Sequence, residues 1–479
     1  MSLIAKSTQM FLSIALRLAT NFVVFVILAR VWDVRSFGAF MYSFTVSTLI
    51  GLLIDYGFGL QLLRDIGHEP SRTREIVSNA LRAKLILLVP VLAISFGVIL
   101  IPPISPASIP VFLLLLLSVV LNSTALLFNF AFRANQRFNV ELRLSAWANS
   151  IFFVFAAVAS LAGGKPIFMA GVFAFARCVY LIISGRVFAR TFGWPALLPF
   201  RSPSVRNMLT TGFPFCVHLS LGTLYFQVDT IVIRALLGDE AVGLYQPAIR
   251  LVMGLLVVTE VLSNVFLPSM AAIRQSIEKL LSEGRRLTHY AFVTGTILAT
   301  IMLLWSRDII VCIYSTDYLA TVPVFSVFSI VLFLRYMGIS FGITLTVCDR
   351  QSVRAAAVSI AVVLSIFLNL ILVHRFGIVG AAWSSVITHI VLNLIYVIYT
   401  RVELGFGLLT RRSYGMFLCA ALVAAIYLLF GSQPWLLKAL ETLAVIVVIL
   451  SIGISPAEWK SVLAGMQKVL RREKAGSPP

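Results

Sequence analysis

The chain reads as long apolar runs broken at short intervals by charge, proline or glycine. Fourteen runs can be marked, near 11–29, 39–62, 85–101, 110–132, 147–162, 167–188, 210–233, 243–270, 289–313, 322–347, 355–373, 378–400, 413–431 and 439–454. A helix needs about 20 apolar residues to cross the hydrocarbon core of a bilayer. The runs are continuous rather than ten-residue alternations, so they predict helices and not barrel strands. The intervening pieces are short, which leaves room only for surface helices such as 271–288 and the tail 456–474. The pattern therefore predicts an all-α polytopic membrane protein with about 14 transmembrane helices. The first run ends at Ala29-Arg30 without a small-residue cleavage pattern, so it reads as a retained span.

Composition sharpens this. Apolar residues make up 60% of the 479 and charged residues only 12%, against about 25% charged in an ordinary globular chain. Such a chain could not cover its own surface in water, which excludes a soluble multidomain enzyme. The five cysteines (Cys178, Cys216, Cys312, Cys348, Cys419) lie in apolar stretches with no CxxC or Cys/His grouping. They are expected to be buried thiols rather than a disulfide framework or a metal site.

The net charge of +19 would suggest nucleic acid in a soluble protein. Here its placement decides otherwise. With the N-terminus placed in the cytoplasm and the sides alternated, 27 of the 38 Lys and Arg fall on cytoplasmic pieces, seven on the opposite side and four within spans. This is a strong positive-inside bias and puts both termini in the cytoplasm, with the protein in the inner membrane. The excess is topology, and no nucleic-acid partner is expected. Trp459 with Lys460, Lys468, Arg471 and Arg472 fits either a tail lying on anionic lipid or a solvated one.

Weak internal echoes accompany the pattern. Ile27-Leu28-Ala29-Arg30 followed by Phe37-Gly38-Ala39-Phe40 resembles Ile231-Val232-Ile233-Arg234 followed by Val242-Gly243-Leu244-Tyr245. Phe168 and Gly171 loosely echo Phe376, Gly377 and Gly380. They predict two six-helix lobes. The expected organisation is an N-lobe over 1–190, a cytoplasmic linker over 191–209, a C-lobe over 210–402, two further helices within 403–455, and a basic tail over 456–479.

Seven ionised groups fall inside the spans: Arg17, Asp55, Arg177, Asp229, Arg250, Glu260 and Arg335. Each costs about 2.5–3.5 kcal/mol at the bilayer centre on insertion scales, so each is expected to face a cavity or a partner. One reading is a water-filled cationic cavity in which Arg17, Arg177, Arg250 and Arg335 bind an anionic, phosphate-bearing cargo, because a guanidinium stays charged and grips phosphate oxygens in a fork. The other is local pairing: Asp55 with Arg17, Asp229 with Arg234, and Glu260 with a basic partner. His218 and His389 lie within spans and are candidates for proton coupling or for helix packing. The polar residues Asn21, Asn122, Asn129, Gln227, Asn264, Asn369 and Asn393 read as interhelical glue or cavity lining.

Several chemistries have no signature. There is no GxxxxGK[ST], HExxH or GxSxG, and Gly57-Phe58-Gly59 lacks the third glycine of a dinucleotide fingerprint. No enzyme activity, metal site or cofactor is called for, although a glycan-processing membrane enzyme stays as a remote alternative.

Several stretches resemble a known family. These are Ile27–Arg30 with Phe37–Phe40 and Asp55–Gly59, then Phe226-Gln227-Val228-Asp229-Thr230-Ile231 with Gly238–Tyr245, then Asn369-Leu370 with Phe376–Ala382. In order and spacing they are similar to the polysaccharide transporter branch of the multidrug/oligosaccharidyl-lipid/polysaccharide (MOP) exporter superfamily, which includes Wzx-type O-antigen flippases. The resemblance covers about residues 5–400. It implies a MATE-like pair of lobes working by alternating access. Its cargo would be undecaprenyl-diphosphate-linked oligosaccharide of an O-antigen, capsule or exopolysaccharide, moved to the outer leaflet. Membrane lipids and glycan polymerase or ligase machinery would be its partners. The basic cavity residues carry over only as a class. Same-fold alternatives are a lipid II flippase and a cation-coupled multidrug antiporter; the last should favour an acidic cavity. The pair of helices beyond twelve departs from the commoner family pattern.

Overall fold

A computed structural model describes residues 3–100, 105–197, 203–405, 407–430 and 434–453. Sixteen α-helices are described: α1 Leu3–Val31, α2 Val34–Asp55, α3 Phe58–His68, α4 Thr73–Leu100, α5 Ile109–Ala134, α6 Phe138–Leu161, α7 Pro166–Phe192, α8 Pro203–Leu237, α9 Asp239–Leu255, α10 Val257–Ala272, α11 Ile277–Leu304, α12 Ser306–Tyr314, α13 Val322–Val347, α14 Gln351–Leu404, α15 Arg411–Phe430 and α16 Trp435–Gly453. No strand occurs among the described residues. Ten helical stretches there are long and apolar enough to cross a membrane, so the protein is a multi-pass membrane protein. One of them, Gln351–Glu403, is long enough for two crossings.

Several apolar runs are broken where hydropathy alone reads them as continuous. The run 39–62 is interrupted because Tyr56 and Gly57 both take left-handed backbone, at φ 45° and 74°. Gly57 is needed there: a Cβ would come within 2.7 Å of the Phe215 carbonyl carbon. The run 243–270 breaks at Leu256, between α9 and α10, and 289–313 breaks at Trp305, between α11 and α12. The expected surface helix 271–288 is instead largely the first half of α11, continuous with an apolar second half. Runs eleven and twelve are separated as expected, at Gly377, whose φ of 60° lets α14 turn without a loop.

The chain forms two compact units. The first holds Met1–Gly254, Ile310–Val324 and Val358–Thr388; the second holds Leu255–Ile309, Phe325–Ala357 and His389–Pro479. In the first, α5 packs on α7, α2 and α3, α1 packs on α6, and α2 also packs on α8. Its core gathers Phe58, Leu62, Phe128, Phe132, Tyr180 and Phe188. In the second, α11 packs on α15 and α16, and the core runs through Phe266, Met270, Leu287, Phe341 and Tyr396. Side-chain pairs secure the last two helices: Lys438 with Asp308, Trp305 with Thr442, and Ser306 with Tyr427.

The two echoed segments meet in the first unit. Gly38 of α2 lies against the Asp239 carbonyl and the Gly243 amide of α9, and Gly243 lies against the Val34 carbonyl. Backbone touches backbone, which only glycine permits. The crossing is fastened nearby. Arg30 donates from Nε to the Ile313 carbonyl at 2.7 Å and also to that of Cys312. Tyr318 donates to the Ala29 carbonyl at 2.9 Å, and Thr321 to the Leu244 carbonyl at 2.6 Å. Arg234 pairs with Asp239 and lies over the Tyr42 ring. Asp33 caps α2 by accepting the Ser36 N–H at 2.9 Å, and hydrogen bonding to Ser36 holds its carboxyl below the usual carboxylate range. The cysteines depart from expectation. Cys216 is buried, Cys312 is exposed at the fastening, and the others are partly exposed.

Gly38→Val and Gly243→Val should each lower the thermal midpoint of the purified protein. A side chain there meets 2.6–2.8 Å contacts with Gly243 N or Val34 Cγ1, and overpacking costs about 1–3 kcal/mol or more. Gly97→Ala, with open space around it, should leave the midpoint within error. Tryptophan fluorescence during heating in detergent checks this, and equal midpoints for all three variants would remove the crossing as a constraint.

Candidate cationic site

Helix α7 starts with proline at its first turn, and its buried residues Phe173, Arg177, Tyr180 and Ser184 recur three or four apart on one face. Arg177 is 7% exposed, and its guanidinium carbon lies 5.2 Å from the Phe152 ring of α6. Phe152 packs on Phe173 at 4.6 Å between ring centres, and Phe173 packs on Phe25 of α1 at 6.1 Å and Phe44 of α2 at 6.0 Å. Arg250 of α9 sits over those same two rings, at 4.5 Å from Phe25 and 5.6 Å from Phe44. One aromatic cluster therefore carries Arg177 at one end and Arg250 at the other. Arg17 of α1 is close enough for its charge to act on Arg177 and on Tyr180.

Arg17, Arg177 and Arg250 have no ion-pair partner among the described residues. The Arg250 Nε and the nearby Tyr314 hydroxyl are buried without hydrogen-bond partners. A cation over a desolvated ring gains about 2 kcal/mol. Removing an ion from water costs several kcal/mol. The rings offset only part of that cost, so the site is left short of negative charge.

The acids do not supply it. Asp55 meets Lys84 rather than Arg17: Lys84 donates to Ser123, Ser123 donates to Asp55, and Lys84 Nζ stands 3.8 Å from the carboxylate. The break at Tyr56 ends α2 at Asp55. Asp229 of α8 does not pair with Arg234, which is taken by Asp239. It is 4% exposed and accepts from Tyr245 at 2.7 Å, Asn369 at 2.7 Å and Ser385 at 2.9 Å. It is a buried carboxylate ringed by neutral donors. Glu260, in the first turn of α10, is exposed, and among the described residues no ion pair holds it.

The other predicted residues are dispersed. Arg335 is partly buried in α13, in the second unit, where it has interaction partners. His389 is 6% exposed in α14 and also engaged. The side chain of His218 and the whole tail 456–474 lie outside the described residues.

Three features escaped the sequence reading. Lys84 precedes an apolar run by one residue, yet it is 6% exposed inside α4. Glu141, which falls between two apolar runs, is 2% exposed and paired with Arg133. The aromatic bed could have been sought in the spacing of Phe40 and Phe44, but nothing local links those to Phe152 and Phe173.

Comparison with known proteins bears on this arrangement. Residues 5–274 match the sequence family described as polysaccharide biosynthesis protein. A curated relative, the probable low-salt glycan biosynthesis flippase Agl15 of Haloferax volcanii, is 23% identical over 235 residues, which cover 46% of this chain and 48% of that protein. This chain thus matches about half the length of that relative. Among solved structures, the lipid II flippase MurJ in an inward closed conformation aligns with a TM-score of 0.67 at 16% identity, covering 94% of this chain and 98% of that one. An inward-facing MATE-family multidrug transporter of the MOP superfamily aligns with a TM-score of 0.65 at 14% identity, covering 81% and 94%. The chain shares the fold of these transporters and, with more than half its length matched, it belongs to the polysaccharide biosynthesis protein family.

Proposed function

We propose that the protein is a flippase that carries undecaprenyl-diphosphate-linked oligosaccharide from the cytoplasmic to the outer leaflet by alternating access. The observation that carries this reading is the pair of unpaired arginines, Arg177 and Arg250, on one aromatic bed with Arg17 beside them. A diphosphate supplies the missing negative charge and suits guanidinium forks. A cationic drug would meet repulsion there, which disfavours the multidrug alternative. The fold and the flippase named among the relatives agree with this reading. In this proposal the protein sits in the inner membrane with both termini cytoplasmic, its repeated helices form two six-helix lobes, and Arg335 is a further cationic contributor. The exported chain would pass to polymerase or ligase machinery.

The Asp229 cluster is the proposed coupling group. A carboxylate ringed by Tyr245, Asn369 and Ser385 has acceptor capacity but no cation, so it suits occupation by a proton or a small cation. His389 is the second candidate.

Arg177→Ala and Arg250→Ala should each abolish surface glycan in cells relying on this protein while inserting normally, with Arg177→Lys retaining a fraction. Glycan gels alongside membrane blots check this, and normal glycan in both alanine variants would sink the cationic-site reading. A lipid II carrier would differ in phenotype, since its loss lyses cells whereas loss of an O-antigen or capsule carrier does not. Separately, Asp229→Asn keeps the shape of the cage but not the charge. Transport in vesicles should then lose its response to imposed proton or sodium gradients while Arg177-dependent binding of cargo persists. An unchanged gradient response would remove Asp229 from coupling.

A further inference from the structure

On the face that the charge bias assigns to the cytoplasm, α3, the turn Pro70–Arg72, α4 and the first turns of α8 enclose a pocket of about 430 Å³. It lies in the first unit and uses none of the arginines on the aromatic bed.

Its lining mixes polar and apolar surface, and its charges are of both signs. Gln61 is 1% exposed, and its amide nitrogen donates to the Met208 carbonyl at 3.2 Å and to Thr211 at 2.8 Å, which leaves its Oε1 buried without a donor. Asn79, 9% exposed, accepts through its oxygen from Arg82 at 3.3 Å and from Ser204 at 3.4 Å. Arg72 is held between Glu69 at 2.7 Å and Glu75 at 2.9 Å, and Arg64 is held by Asp65 at 2.8 Å. Asn207 is exposed on the α8 side, and Met208 and Ile76 add an apolar patch.

Three carboxylates face two guanidiniums and the imidazole of His68, so the pocket offers no net positive charge to a phosphate. The arginines likewise oppose a simple cation. What fits is a neutral ligand with many groups that both donate and accept, plus an apolar face. Planar amides and carboxylates match paired hydroxyls, which donate and accept at once.

We propose that this pocket is a saccharide-recognition site, which takes the sugar portion of the lipid-linked cargo on its loading side. The inference rests on the flippase reading for the identity of the cargo, but its site is separate from the cationic one. It places glycan selectivity outside the diphosphate site, so that the two ends of the cargo are read by different residues.

The test uses full-length protein in nanodiscs and oligosaccharide released by mild acid from the lipid-linked pool of the producing cells, with binding followed by saturation-transfer NMR. The wild type should bind it, and Asn207→Ala and Glu75→Gln should weaken binding about fivefold or more, as loss of one hydrogen bond worth about 1 kcal/mol predicts. Inorganic phosphate and spermine should not compete. Arg177→Ala should bind the oligosaccharide normally while failing to support surface glycan. The proposal is overturned if the released oligosaccharide fails to bind, if neither pocket variant weakens it, or if phosphate displaces it. If Arg177→Ala transports normally while the pocket variants lose sugar, the saccharide site stands and the cationic-site reading falls.

Discussion

The close approach of α2 and α9 at Gly38 and Gly243 brings Arg250 onto the aromatic bed of the first unit. With no Cβ on either helix, the two backbones touch, and residues one or two turns further along are forced into each other's reach. Arg250 lies seven residues beyond Gly243, and Phe44 lies six beyond Gly38; the guanidinium rests over that ring at 5.6 Å. Tyr245, two residues beyond Gly243, turns to Asp229 of the preceding helix at 2.7 Å. The aromatic cationic site and the caged acid thus share helix α9, through Arg250 and Tyr245. A bulkier residue at the glycine contact would move α9 away from the ring of Phe44.

The buried charges divide into two kinds. Lys84, Glu141 and Arg234 have opposite charges within reach, and each removes its own desolvation deficit locally. Arg177, Arg250 and Asp229 do not. The arginines rest on rings, which attract a cation weakly, and the carboxylate is met by hydroxyl and amide donors, which stabilise charge without cancelling it. Charges left in that condition are costly, and a chain that folds around them retains them at the expense of stability. Arginine suits the first role better than lysine, because its flat, weakly hydrated head stacks on a ring and keeps its edge donors for phosphate.

Much of this was legible in the sequence, and what was not has a physical cause. Apolar runs and the bias of basic residues report the solvent of each segment, so helices, membrane class and the residues Arg177, Arg250 and Asp229 could be named from them. The breaks at Tyr56-Gly57 and Leu256 could not be, because they depend on backbone angles that hydropathy does not encode. Partners were also misread. Asp55 met Lys84 and not Arg17, since pairing depends on which helix faces are adjacent, and Ser123 of α5 bridges the two. The echoed glycines, weak as sequence signals, are in contact with one another.

The sharing of one helix, α9, by the two sites has a thermodynamic consequence for the proposed cycle. A ligand shifts a conformational equilibrium only as far as its affinity differs between the states. An anion on Arg250 and a cation on Asp229 each bind beside a residue carried by α9, Arg250 itself in the first case and Tyr245 in the second. Any movement of α9 therefore changes both affinities together. Reciprocity follows: if the cation alters the hold on the diphosphate by some factor, the diphosphate alters the hold on the cation by the same factor. Coupling in this arrangement needs no relay of side chains between the sites. It needs only that Tyr245, which reaches Asp229, and Arg250, which reaches the aromatic bed, ride on one helix, as they do on α9.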